Sequence, residues 1–143
     1  MIKRICSVIL AICMSMSAIS ALAYEDVKTA KEDIAVSLVT GMGIMDSVSD
    51  NEFGSSNHVR RGEFALSVAK MLNQNIQPTS GTGYYSDVDL STEEGAAVDF
   101  LVSIGIIPKS GTEYNPNDEE TYVNAVRILL NALGYSKLAE YNG

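Results

Sequence analysis

Residues 29–45, TAKEDIAVSLVTGMGIM, and residues 91–107, STEEGAAVDFLVSIGII, decide the fold. Laid over one another they place Ile34, Ala35, Leu38, Val39 and Met42 on Ala96, Ala97, Phe100, Leu101 and Ile104, a displacement of 62 residues. Each set steps i, i+1, i+4 and onward by three or four, which is one stripe of an α-helix and not the alternation of a strand. Each stretch opens on a hydroxyl followed three residues later by glutamate, Thr29 with Glu32 and Ser91 with Glu94. That spacing predicts a capping box, in which hydroxyl and carboxylate satisfy the free N–H groups of the first turn. Gly43 and Gly105 follow the stripes, where a residue without a side chain permits the left-handed turn that closes a helix.

The correspondence extends in both directions. Upstream, YEDV at 24–27 falls on YSDV at 85–88 at a displacement of 61. Downstream, Phe53 falls on Tyr114, and Phe64, Ala65, Val68, Met71 and Leu72 fall on Ala125, Val126, Leu129, Ala132 and Leu133. The chain is therefore expected to be all-α, built of tandem helix–loop–helix repeats at 24–73 and 85–135. Residues 74–84, polar and rich in Gly, Ser and Thr, read as a linker or long surface loop, and 136–143 as a C-terminal tail. One apolar stripe per helix is more than a single pair can bury, so two such units predict an incomplete set of neighbours.

The first 23 residues are read apart from the fold. MIKR supplies a basic start, ICSVILAICMSMSAISALA an apolar run with a small-residue exit, and Ala21 and Ala23 the pattern of a signal-peptide cleavage site. The competing reading is an uncleaved anchor, for which the run is short and diluted by serine. Lipid attachment at Cys13 is disfavoured by Ile12 before it. Cys6 and Cys13 both fall in this segment, so an exported chain holds no disulfide and depends on its own core. The net charge of −8 becomes more negative once Lys3 and Arg4 are removed. Nucleic acid and anionic membranes would repel such a chain, and neither is an expected partner. An anionic ligand would have to be held locally, and the only arginines past the signal segment are Arg60, Arg61 and Arg127.

These landmarks resemble the S-layer homology repeat of bacterial surface proteins: YEDV, MGIM, DNEF and VRRGEF in the first unit, YSDV, IGII, YNPN and TYVNAVRILLNALG in the second. The resemblance runs from Tyr24 to about Tyr135. It implies a helical assembly in which three repeats form a pseudo-threefold arrangement, here incomplete. It further implies binding of cell-wall polysaccharide, often pyruvylated, that fastens an exported protein to a Gram-positive surface. In the family pattern Thr-Arg-Ala-Glu opens the second helix, and its arginine meets the anionic sugar in a groove between repeats. Carried over by position, that arginine is Arg61, the glutamate is Glu63, and the aspartates of the first landmark are Asp26 and Asp87. Arg60 stands where the family has threonine; the second unit keeps Thr121 but has Tyr122 and Asn124 in place of Arg and Glu.

The expected glycan ligands are thus Arg61, Glu63, Asp26 and Arg60, with weaker equivalents at Asp87 and Thr121. An arginine at a helix start offers a planar fork suited to a carboxylate, beside N–H groups and a partial positive charge. The opposing reading pairs Arg61 with Glu63 or Asp26 as a mere brace. DVDLSTEE at 87–94 alternates oxygen ligands but lacks the glycine and final glutamate of a calcium loop. With His58 the only histidine and no nucleophile motif, neither an enzyme nor a cofactor or metal is expected. The expected role is a non-catalytic anchoring module on the cell surface, partnered by wall polysaccharide and by further repeats in cis or a second copy of the chain. The alternative is a structural or protein–protein interaction region of a larger surface protein, its repeats no longer glycan-binding.

Overall fold

A computed structural model describes residues 24–73 and 75–135. The expected signal segment at 1–23 and the expected tail at 136–143 lie outside the described residues. Four helices make up the described chain: α1 at Ala30–Gly41, α2 at Arg61–Leu72, α3 at Glu93–Ser103 and α4 at Tyr122–Ala132. The fold is all-α; among the described residues the sole β-type pairing is an isolated antiparallel bridge between Arg60 and Glu119.

The expected capping box at Thr29 is present. The Glu32 N–H donates to Thr29 Oγ1 at 3.2 Å, and the Thr29 N–H donates to Glu32 Oε2 at 3.0 Å. The one expected at Ser91 is not. α3 starts a residue later, with Thr92 as its cap accepting from the Gly95 N–H at 3.0 Å. The reason is competition from Asp89, whose carboxylate takes both the N–H and the hydroxyl of Ser91 and removes that residue from capping. These two bonds, the hydroxyl's first, hold Asp89 ionised below the usual carboxylate range. Gly95 lets this turn fold tightly, because a Cβ there would collide with the Asp89 carbonyl oxygen.

The core sits where α2 crosses α3. Ala65, Val68 and Ala69 of α2 and Ala97, Val98, Leu101 and Val102 of α3 are buried together, joined by Tyr85, Ile106, Ile107, Tyr114 and Ile128. The alanines let the helices approach closely, and α4 closes the cluster through Ile128. Ile76 of the predicted linker packs against this cluster, and the Thr79 N–H bonds the Leu90 carbonyl, so the segment folds back onto the second half of the chain.

α1 stands apart. Its stripe forms a helix as expected, yet Ile34, Leu38 and Met42 remain 63%, 57% and 55% exposed, and Val36 is its one buried residue. α4 likewise exposes Val123 and Leu129, with Leu133 just past its end.

Candidate functional site

Two aspartates fasten the loops that carry the site. Asp26 accepts from the N–H groups of Phe53, Gly54 and Ser55, and Asp87 from those of Tyr114 and Asn115. The Ser55 backbone bond, with those of Phe53 and Gly54, lowers the Asp26 carboxyl to about 2. Beside each aspartate lies an aromatic pair, Tyr24 with Phe53 at 5.9 Å between centroids and Tyr85 with Tyr114 at 5.5 Å. Both aspartates thus act on backbone.

The start of α2 is held by the second half of the chain. The Arg61 and Gly62 N–H groups donate to the carbonyls of Asp118 and Pro116, each at 2.9 Å, and the Glu120 N–H to the Val59 carbonyl at 2.8 Å. A helix start offering free amides to an anion is the expectation from sequence; these carbonyls occupy two of them. Any anion here must be met by side chains.

Arg60, in the cap position without a hydroxyl, works as a clamp between the halves. Its Nη2 lies 2.9 Å from both Glu63 Oε1 and Glu94 Oε1, and its Nη1 donates to Asn117 Oδ1. The helix start keeps half a capping box, since Glu63 Oε2 accepts from the Arg60 N–H. Burial works against the charge of Glu63, but the Arg60 N–H and guanidinium outweigh it and hold the carboxyl below its usual range. Gly62 makes room for the clamp: a Cβ there would lie 2.6 Å from Glu94 Oε2. Because α3 is capped by Thr92, Glu94 has no capping duty and is available to Arg60.

Arg61 turns the other way. Its guanidinium lies 4.6 Å from the centroid of the Tyr114 ring, and the Tyr114 hydroxyl donates to the Arg61 carbonyl. Burial drives the Tyr114 phenol above its ordinary range against the pull of Arg61, so it stays a neutral donor. Arg61 Nε is buried with no hydrogen-bond partner. The side chain lines a cavity of about 300 Å³ with Tyr85, Ser110, Tyr114, Asn124 and Arg127 among its walls. Neither Arg61 nor Arg127 forms an ion pair among the described residues.

Of the six residues expected to touch a ligand, the structure brings only Arg61 to this cavity. Arg60 and Asp87 line a second one of about 490 Å³ with Asp89, Glu93 and Glu94, and Glu63 a third of about 420 Å³ beside His58 and Lys70. Asp26 braces its loop, and Thr121 caps α4 by accepting from the Asn124 N–H. Arg127 is the residue that sequence reasoning misses. Its one available signal is that it is the third of the three arginines past residue 23, but it lies outside the Thr-Arg-Ala-Glu positions and its cavity is made by α4 meeting α2. Among the described residues no group of three or more His, Cys, Asp or Glu side chains could hold a metal ion.

Residues 23–65 match the S-layer homology domain family model. Among curated proteins the chain is similar to the exoglucanase XynX of Acetivibrio thermocellus, 26% identical over 118 residues, 82% of this chain and 10% of that protein. It is also 26% identical over 98 residues to endo-1,4-beta-xylanase A of Thermoanaerobacterium saccharolyticum, covering 68% of this chain and 8% of that one. An amylopullulanase of Thermoanaerobacterium thermosulfurigenes is 25% identical over 118 residues, 82% and 6% of the two chains. The chain thus spans a tenth or less of the length of these relatives. No solved structure matches it.

Proposed function

Given that residues 23–65 belong to the S-layer homology domain family, we propose that this chain is a non-catalytic anchoring module. It is exported and fastens to the cell surface by binding an anionic, pyruvylated wall polysaccharide at Arg61. The observation that carries this reading is the contrast between neighbouring arginines. Arg60 is engaged by two carboxylates and an amide, whereas Arg61 lines a cavity and forms no ion pair among the described residues. A carboxylate entering the cavity would give the Arg61 guanidinium the charge partner that no described side chain supplies. The repeat boundaries at 24–73 and 85–135 belong to the same proposal, supported by the paired loop fastenings of Asp26 and Asp87.

The glycan-degrading activities in the relatives' names belong to those proteins. The test is co-sedimentation of the purified chain with cell walls, intact and stripped of secondary polysaccharide. Binding to intact walls that disappears on stripping is expected; equal binding to both would overturn the proposal.

A second reading, a packing region within a larger surface protein, is favoured by the bare apolar faces of α1 and α4. It predicts no wall binding and a stable complex through Ile34, Leu38 and Met42.

A further inference from the structure

We infer that Arg127, on α4, is a second anion-binding residue, so that the acidic group is held between guanidinium groups from two different helices. This rests on the glycan-anchoring reading for the identity of the ligand, while the role of Arg127 is argued from the lining of the cavity. Arg127 sits six residues after Thr121, at a position where the first half of the chain has Leu66, and lies outside the Thr-Arg-Ala-Glu positions at 121–124.

The electrostatics of the cavity carry the inference. Arg61 and Arg127, both half-buried, line it together, and the one acid among its walls, Glu113, pairs with neither. Two guanidinium groups facing one small cavity repel each other and lose solvent, a cost that an anion between them removes. The chain is not short of carboxylates: it holds 18 Asp and Glu against 10 Lys and Arg, and gives Arg60 two of them. Two of the three arginines past residue 23 share this cavity, in a protein of net charge −8. Planar forks on separate helices can grip a carboxylate from two sides, and Ser110 adds a hydroxyl for the sugar that bears it, while the Asn124 amide N–H groups are held by Glu120.

The corresponding cavity in the first half lacks the arginine pair. Position for position, Glu63 replaces Asn124 and Leu66 replaces Arg127, and both line the cavity of about 420 Å³. His58 and Lys70 line it as well, beside Asp46, Glu63 and Glu94, so its walls are mixed in charge and hold no arginine.

The experiment is calorimetric titration of the purified chain with a methyl hexoside carrying a pyruvate ketal, and with its uncharged methyl ester. Variants are Arg127→Ala, Arg127→Gln and Arg127→Lys, each also melted without ligand. Arg127→Ala and Arg127→Gln are expected to lose about tenfold or more in affinity for the ketal. Arg127→Lys should lie between, having the charge without the fork. The ester should bind wild type and variants with equal weakness, and the unliganded variants should melt no lower than wild type, because repulsion is relieved. Wild-type affinity in Arg127→Gln, or a loss of affinity matched by equal loss for the ester, would overturn the assignment. If the ketal binds in an Arg127-dependent way while walls are not bound, the anchoring reading fails and the role of Arg127 stands. Wall binding undiminished in all three variants does the reverse: the role of Arg127 fails and the anchoring reading stands.

Discussion

Replacing Leu101 by alanine sets the packing of the core against the packing of α1. Leu101 is fully buried at the centre of the α2–α3 crossing. The substitution removes three carbons, roughly 2.5 kcal/mol of transfer free energy at ~0.8 per carbon, and the cavity left behind raises the loss to about 3–4 kcal/mol. For a domain of this size that corresponds to a fall in melting temperature on the order of 10 °C. The matched control is Leu38→Ala, which removes the same carbons from a side chain already 57% exposed; its cost is expected to be about 0.5 kcal/mol or less. Urea titrations followed by helical circular dichroism, at one protein concentration, give both values. Equal losses at Leu38 and Leu101 would mean that α1 is as well packed as α3, against the burial described above. A small loss at Leu101 would mean that the α2–α3 crossing is not the centre of the core.

Other consequences are smaller in scale. A double-mutant cycle with Arg60→Ala and Glu94→Gln should return a coupling of about 0.5–1 kcal/mol, modest because solvent reaches both side chains; no coupling would mean the clamp does not form. Thr92→Ala should cost ~1 kcal/mol and Ser91→Ala less, the reverse of what a cap at Ser91 predicts, as thermal melts of the two variants will decide. Acid unfolding should be sensitive to Asp26: its carboxyl titrates at about 2 in the fold against an ordinary 3.8, so its contribution is complete above pH ~4 and lost as pH falls towards ~2. Asp26→Asn should flatten that part of the stability curve, and an unchanged curve would show that the loop bonds do not form.

Much of the fold could be read from local pattern. The stripes and terminal glycines placed four helices, because helical period and capping are properties of a few adjacent residues. The register at Ser91 and Thr92 could not be read this way. Two neighbouring hydroxyls compete for the cap, and the outcome depends on Asp89 binding one of them. Nor could the sequence say that Asp26 and Asp87 spend their carboxylates on backbone N–H groups 27 or more residues away, or that carbonyls of Pro116 and Asp118 would occupy the start of α2. The site suffered most from this. The family position sets Arg61 apart from Arg60 in sequence, but that Arg60 is held as a clamp depends on Glu94 and Asn117, which come from the second half of the chain. Arg127 stands out in sequence only by the scarcity of arginine, since its meaning comes from α4 packing beside α2.

Everything proposed for the ligand turns on that separation of the two arginines, and it can be measured as the affinity of Arg61→Ala and Arg60→Ala for intact cell walls, with circular dichroism to establish that each variant is folded. Arg61→Ala should lose about tenfold or more, whereas folded Arg60→Ala should bind within about threefold of wild type, on the scale of its weak, solvent-exposed clamp. Wall binding retained in Arg61→Ala and lost in folded Arg60→Ala would assign the ligand to the wrong arginine and end the proposal.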